Sequence, residues 1–264
     1  MAQALRPRFI VAFALAFIGL IVVGLDAAGP ARAAEFTDSQ KAEMGSVIRD
    51  YLLKNPEVLQ DAMSELDRRQ KAEEVAHRGQ LIGQNAEELF HAPNGVVIGN
   101  PNGKVTLVEF FDYNCGYCRR TLDDIAKLMK TEPELRIVLK DFPVLGPGSV
   151  EAAQIAGAVS RQLHGDAFWQ FHSKLLGTHG PVGKAQALAA ARDSGVDMDR
   201  MMKDAAAPPV MANLQQTMQL ADALNLTGTP SFVVGQDVVV GAIGYDGLKD
   251  RIDNVLKCGK AMCS

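Results

Sequence analysis

Cys115-Gly116-Tyr117-Cys118 sits between an apolar run, Val105-Thr-Leu-Val-Glu-Phe-Phe111, and a helix-like stretch over 115–130. That junction constrains the chain more than any other feature, because it demands a buried strand feeding directly into a helix that opens on a thiol. A thiolate is the nucleophile of disulfide exchange, and a helix N-terminus stabilises negative charge. A second thiol three residues on shares the same helical face and is placed to resolve a mixed disulfide.

The ends of the chain bear on where such chemistry takes place. Residues 1–33 read as a secretory signal: Arg6 and Arg8 open it, 9–25 is an uncharged run of 17 residues, and Ala31-Arg32-Ala33 offers small residues at a cleavage site. The alternative is a retained anchor facing the same compartment. Either way the remainder is expected in an oxidising environment, the periplasm, where disulfides persist. From Ala34 onward, basic residues fall from 27 to 24 and acidic ones from 31 to 30, a formal charge of −6 over 231 residues. No basic patch suggests nucleic acid as a partner. All four cysteines follow residue 114, in two close pairs with none left over.

Three regions are expected after the signal at 1–33: an N-terminal helical region over 34–92, then a domain over 93–264 that contains a helical block over about 149–226. In the first, Asp38 or Ser39 is placed to cap a helix, and Met44, Val47, Ile48, Tyr51 and Leu52 recur on one face. Asn55-Pro56 breaks it and starts another, with Asn as cap and Pro in the first turn. Val58, Leu59, Ala62, Met63 and Leu66 continue an apolar face, which needs a covering surface; self-association through 38–90 is the expected solution. Beyond the turn chemistry of 91–95, strands are expected at 96–98, 105–111 and 135–139. Four or five helical pieces follow, then a hairpin over 231–240 and a last helix over 245–257. The order β-α-β, helical block, β-β-α implies an α/β fold with a mixed sheet.

Several other residues carry chemistry. Zinc is the rival reading of the C-x-x-C, but the only other cysteines, Cys258 and Cys263, lie at the far end of the chain. Glu109 shares a strand face with Leu107 and Phe111, so it is expected to point into a covered layer. There it must be paired or protonated, which suits a proton shuttle for Cys118. Lys140, at the end of the next strand, is its candidate partner. Cys258 and Cys263 span a helix end where Gly259 suits a C-cap; a structural disulfide is expected there, with a second redox or metal pair as the alternative. The five histidines form no metal-like pair and are expected on surfaces or at helix caps. Met201, Met202, Met211 and Met218 are expected to pack.

The motifs Phe110-Phe-Asp-Tyr-Asn-Cys-Gly-Tyr-Cys118 and Gly228-Thr-Pro-Ser-Phe232 resemble those of the thioredoxin superfamily. The helical block between the two halves is similar to the DsbA-type branch. The resemblance implies a thioredoxin fold with an inserted helical domain and an N-terminal helical extension. It implies nucleophilic Cys115, resolving Cys118, Glu109 as the buried acid, and a cis Pro230 that, with Thr229, Gly116 and Tyr117, lies against the client. Asp50-Tyr-Leu-Leu-Lys-Asn-Pro-Glu-Val-Leu59, with Ala62-Met63 and Leu66, is similar to the N-terminal region of suppressor-of-copper-sensitivity C (ScsC) proteins, some of which oligomerise there. The Gly-Tyr dipeptide and the threonine before Pro230 resemble disulfide isomerases of the DsbC type, where DsbA-type oxidases have Pro-His and valine.

The expectation is therefore a periplasmic protein thiol-disulfide oxidoreductase, leaning to isomerase or reductase. A net dithiol oxidase is the alternative within the class, and a copper-binding or chaperone-like protein the alternative outside it. No organic cofactor and no resident metal are implied, since the cysteine pair carries two electrons. The expected partners are cysteine-containing secreted clients and a membrane redox protein.

Overall fold

The computed structural model describes residues 36–91 and 95–263. The expected signal at 1–33 and the middle of the expected turn at 91–95 lie outside the described residues. The chain divides between Ser64 and Glu65 into two compact units.

The first unit holds helix α1 (Asp38–Lys54) and the opening turns of α2 (Glu57–Gln84). The cap of α1 is Thr37, one residue before the expected position. Thr37 stands three residues ahead of Gln40, so its Oγ1 accepts from the Gln40 N–H at 3.3 Å while Gln40 Oε1 accepts from the Thr37 N–H at 2.9 Å. That reciprocal pairing satisfies two otherwise orphaned donors and leaves Asp38 in the first turn, where its charge suits the helix dipole. Asn55 also departs from expectation. Its Nδ2 donates to the Tyr51 carbonyl at 2.8 Å, so its side chain closes α1 rather than opening α2. None of the residues of α1 is buried; Val47, Ile48 and Tyr51 are all more than half exposed.

The second unit contains the remainder of α2, which runs unbroken through the charged 67–74 segment. Glu65 takes both Arg68 and Arg69 at 2.7 and 2.8 Å, exposed pairs that solvent screens and that add little to stability. After α2 a π-helical turn, Glu87–His91, buries Leu89. Strand β1 (Val96–Gly99) is followed by β2 (Val105–Phe111), α3 (Gly116–Thr131) and β3 (Leu135–Asp141). The helical block comprises α4 (Pro147–Val159), α5 (Gly165–Leu176), α6 (Lys184–Asp193), α7 (Met198–Ala205) and α8 (Pro208–Ala223). The chain returns through β4 (Ser231–Val234) and β5 (Asp237–Val240), joined by a two-residue turn with Gly235 at φ +58°, to α9 (Gly244–Cys258).

The five strands form one mixed sheet in the order β1-β3-β2-β4-β5, with β2 and β3 parallel and the other pairs antiparallel. β2 lies at the centre, and all of its residues but Thr106 are buried, as a strand covered on both sides requires. Its period of two sorts two cores. Leu107 and Phe111 face α3, α9 and the insert with Ile125, Leu248 and Phe171. Val108 and Phe110 face Ile82, Leu89, Leu220 and Leu224 on the other side. Among the methionines, Met201 is fully buried, whereas Met202 and Met211 reach the surface.

Candidate active site

The parallel register places the C-x-x-C turn where it belongs for chemistry: β2 ends at Phe111, and the chain turns through Asp112, Tyr113 and Asn114 into α3. Cys115 is the N-cap of α3, with extended backbone at φ −81° and ψ 114°. Its Sγ accepts from the Cys118 N–H at 3.3 Å, and in the thiol form it donates to the Thr229 carbonyl at 3.2 Å. The Thr229–Pro230 peptide is cis, and the Pro230 carbonyl is held by the Gly241 N–H at 2.8 Å. Thr229 and Pro230, more than a hundred residues downstream in sequence, thus sit against the nucleophile.

Electrostatics separate the two thiols. The Cys115 thiol is lowered to about 5, chiefly by a hydrogen bond with Cys118; the Thr229 hydroxyl and the N–H groups of Cys118 and Tyr117 add to this, against the opposing effect of burial. Cys118 is pushed far up by the same bond to Cys115, by burial, and by the charge of Glu109. One thiol is ionised at neutral pH while its neighbour keeps its proton. Cys118 is fully buried.

Glu109 is 2% exposed on the same face of β2. Its Oε1 accepts from Thr121 Oγ1 at 3.3 Å. Burial and, less strongly, the Cys115 charge raise it to about 8, with the Thr121 hydroxyl opposing. Lys140 is not its partner. Glu109 pairs in register with Leu139, so Lys140, one residue on, pairs with Phe110 and points to the opposite side of the sheet. There burial lowers it to about 8, against the opposing effect of the Glu88 charge.

Gly116 and Tyr117 flank the thiols on the surface. A Cβ at Gly116 would meet no neighbour, so the approach to Cys115 is open there. Tyr117 is 58% exposed, with the Arg120 guanidinium 4.2 Å above its ring. Tyr117 and Arg120, with Asp124, Thr229, Gly241, Ala242 and Gly244, line a groove of about 490 Å³ beside the cysteine pair.

A polar cluster behind the turn was missed from sequence. Asp112, 1% exposed, accepts through Oδ1 from the Asn114 N–H and Ser149 Oγ, both at 2.7 Å, and through Oδ2 from the Leu145 N–H at 2.9 Å. The side chain of Asn114 pairs with the backbone of Val182 and with Ser149. Asp-x-Asn ahead of a helix is an Asx-turn signal, but its partners on the insert have no local signature. His172 also departs from the expected surface role. It is 1% exposed, packs against Phe111, Phe168 and Trp169, and sits 3.3 Å from the Tyr113 hydroxyl. Burial lowers it to about 3, so it stays neutral.

Cys258 and Cys263 lie at the other end of the domain, joined as a disulfide with Cα atoms 6.2 Å apart. Gly259 ends α9 in the left-handed conformation at φ +73° and lets the chain turn back. With these two sulfurs bonded to each other, they do not complete a four-cysteine set with Cys115 and Cys118. Among the described residues no group of three or more His, Cys, Asp or Glu side chains is arranged to hold a metal ion.

Comparison with known proteins places this geometry. The family described as Thioredoxin matches residues 91–254, and the "Copper resistance protein ScsC N-terminal domain" matches 40–73. A thioredoxin-like oxidoreductase from Silicibacter pomeroyi is 41% identical, with a TM-score of 0.62 over 65% of this chain and 98% of that one. Proteus mirabilis ScsC in a transitional conformation is 26% identical, with a TM-score of 0.62 over 86% of this chain and 99% of that one. The thiol:disulfide interchange protein DsbA of Bordetella parapertussis is 29% identical over 165 residues, 58% of this chain and 76% of that protein. The chain spans about a fifth of the length of the first curated relatives it matches: the Na(+)/H(+) antiporter NhaA 3 of Salinispora tropica is 29% identical over 140 residues, 52% of this chain and 21% of the antiporter. The family match covers the sheet, the C-x-x-C turn, the cis-proline loop and the helical block, and the chain belongs to the thioredoxin family as a DsbA-like, ScsC-resembling member.

Proposed function

We propose that the protein is a periplasmic protein thiol-disulfide oxidoreductase working in the isomerase or reductase direction on cysteine-containing secreted clients. The observation that carries this reading is the Cys115 sulfur, set between the Cys118 N–H and the Thr229 carbonyl and lowered to about 5. It is a ready nucleophile and a good leaving group at neutral pH. Its thiolate attacks a client disulfide, one client sulfur leaves as thiolate, and a mixed disulfide forms. In isomerisation another client thiolate then attacks the client sulfur and restores the Cys115 thiolate. In reduction Cys118 attacks Cys115 Sγ, the client leaves reduced, and a membrane redox partner must re-reduce the pair.

Glu109 governs that second step. Its charge is opposed by burial and by the Cys115 thiolate. Once Cys115 enters a mixed disulfide its charge is gone, so Glu109 ionises more readily and accepts the Cys118 proton. Tyr117 and Thr229 line the groove that receives the client, with Gly116 and Pro230 next to them in the chain as further client contacts. No cofactor is required, because the dithiol itself holds the two electrons.

The isomerase lean rests on the Gly116-Tyr117 dipeptide and on threonine rather than valine before Pro230. Net oxidation is favoured by a different observation: a low Cys115 pKa stabilises the reduced pair and makes its disulfide oxidising. Refolding of a scrambled disulfide client, with Cys115→Ser as control, tests the reading. Wild type is expected to reshuffle the client and the variant to fall to background. A wild type that neither reshuffles, reduces nor oxidises thiols rejects the enzyme and leaves a copper-binding or chaperone-like protein. Assembly into a homo-oligomer through 38–90 is part of the proposal, supported by Val47, Ile48, Tyr51, Leu59 and Met63 at half exposure or more. Deleting 34–90 should lower the mass in solution to that of a monomer; equal monomer masses for both forms reject it.

A further inference from the structure

Asn114 precedes the nucleophile directly, yet its side chain is spent wholly on another part of the molecule. Its Oδ1 accepts from the Val182 N–H at 2.7 Å, and its Nδ2 donates to the Val182 carbonyl at 2.8 Å. The amide thereby imitates one rung of a strand pairing with the loop between α5 and α6. Nδ2 also donates to Ser149 Oγ at 3.0 Å, in the first turn of α4. Ser149 in turn donates to Asp112 Oδ1, the same oxygen that takes the Asn114 N–H. The Cys115 N–H donates to the Asp112 carbonyl at 2.9 Å.

Every polar atom of the Asn114 side chain therefore engages the insert, and the backbone on either side of it is fixed by Asp112. Asp112 has no cation among its hydrogen-bond partners; three donors hold it, two of them from the segment that starts the insert (Leu145 N–H and Ser149 Oγ). Buried networks satisfied this completely fix one arrangement and resist partial change. The insert side is equally tight. A Cβ on Gly148 would stand 2.7 Å from the Val182 carbonyl oxygen, the same oxygen that Asn114 grips. Glycine at 148 is what lets the Val182 loop lie close enough to α4 to be reached by Asn114.

The geometry points to Asn114 as a positioning residue: through Asp112, Ser149 and Val182 it makes the helical insert set where the Cys115 sulfur sits over the N-terminus of α3. The inference rests on Cys115 being the reactive thiol of the proposed function. It adds that the insert tunes that thiol as well as covering the sheet. The physical link is the 3.3 Å contact between Cys115 Sγ and the Cys118 N–H, a charge-assisted bond that weakens if the turn before Cys115 loosens.

Asn114→Ala, Ser149→Ala and Gly148→Ala in the full chain test it from both sides. The readout is the ultraviolet thiolate absorbance of reduced protein against pH, together with the pH profile of Cys115 alkylation by iodoacetamide. Neither needs a client, so a protein that alkylates normally but exchanges no disulfides fails the proposed function and leaves this inference standing. Asn114→Ala should move the titration midpoint up by about one unit, roughly tenfold less thiolate below the midpoint, as expected when the Cys118 N–H bond to the thiolate is weakened by a loosened turn. Gly148→Ala should move it the same way. The double variant should move it little further than Asn114→Ala alone, because both changes break one link. Ser149→Ala, which keeps the Asn114–Val182 pair, should give a smaller shift and remains informative if a harsher variant does not fold. Midpoints and profiles that stay at the wild-type value in Asn114→Ala and Gly148→Ala, whatever happens to Tm, overturn the inference.

Discussion

The two cysteine pairs occupy opposite ends of helices, and the contrast between them explains what each is for. Cys115 and Cys118 open α3, where Cys115 Sγ takes the orphan Cys118 N–H and the helix dipole favours negative charge. Both are buried, with a protonated carboxyl behind them and the cis-proline loop in front. Cys258 and Cys263 close α9, where a thiolate would meet the negative end of the dipole and no free N–H groups. They are exposed and bonded to each other across a left-handed glycine turn. The same residue type is thus held reactive at one helix end and locked at the other. Position along the helix decides the difference, together with whether a buried acid stands nearby.

That acid gives the largest way to break the comparison. Glu109→Gln keeps the shape and the Thr121 hydrogen bond but cannot take a proton from Cys118. Release of client from the Cys115 mixed disulfide should slow by about a hundredfold, the lower range for general acid–base catalysis. Rapid-quench trapping of the mixed disulfide measures it. Stability carries an independent signature. The folded pKa of Glu109 is raised to about 8 from an ordinary 4.5, so wild-type stability falls as pH rises from about 4.5 through about 8. Glu109→Gln has no such group to ionise. Its Tm should exceed that of wild type by more at pH 8–9 than at pH 4. A pH-independent difference, or resolution at the wild-type rate, would mean that Glu109 is inert packing.

Legibility from sequence follows the same line between local and distant causes. The β2–α3 junction, the hairpin and the turn at Gly259 are readable because each is set by a few adjacent residues; the hairpin turn reads as Gly235-Gln-Asp237 but closes in two residues, with Asp237 paired to Val234 in β5. The five insert helices came from composition and Gly or Pro breaks alone. Lys140 was misassigned because strand period gives the face of one strand and not the register between two; only the Glu109–Leu139 pairing shows that it points away. The Asp112–Asn114 cluster was missed because its partners, Ser149 and Val182, are 35 and 68 residues from Asn114, and one of them is a backbone group that no side-chain pattern reveals. His172 reads as a surface or cap residue because a lone histidine carries no sign that four aromatic rings will close over it.

The locked pair offers the second test. Replacing both Cys258 and Cys263 with serine opens a short loop whose closure is worth about 2 kcal/mol by chain entropy. Thermal unfolding should shift down by roughly 4–8 °C for a domain of this size, while exchange through Cys115 stays at the wild-type rate. The single variant Cys263→Ser goes further, because it frees Cys258 at the C-terminal end of α9. Its alkylation should keep climbing with pH through the range in which the Cys115 profile is already flat, above about pH 6. Superimposable profiles would mean that helix position and the neighbours of Cys115 do not set thiol character here.

The smallest effect concerns the loop in front of the reactive pair. The Thr229 hydroxyl helps to lower Cys115, behind the larger contribution of Cys118. Thr229→Val retains the branched shape and removes only that hydroxyl. The Cys115 titration midpoint should rise by less than one unit, since the Cys118 bonds remain. The folded pKa of Cys115 lies below its unfolded value, so its charge stabilises the reduced protein fully above about pH 9. That stabilisation is lost as pH falls through about 5. Raising the midpoint makes this stabilisation smaller and completes its loss at a higher pH, and only in the reduced protein, because the disulfide form has no thiolate. The pair should therefore become slightly less oxidising at pH 7, with its reduction potential more negative by up to roughly 30 mV. Equilibration against glutathione measures the potential, and the ultraviolet thiolate titration measures the midpoint. Valine is also the residue expected at this place in an oxidase, so a potential that instead rises would show that the hydroxyl acts on the disulfide form, through the contact between the cis-proline loop and the cysteine pair.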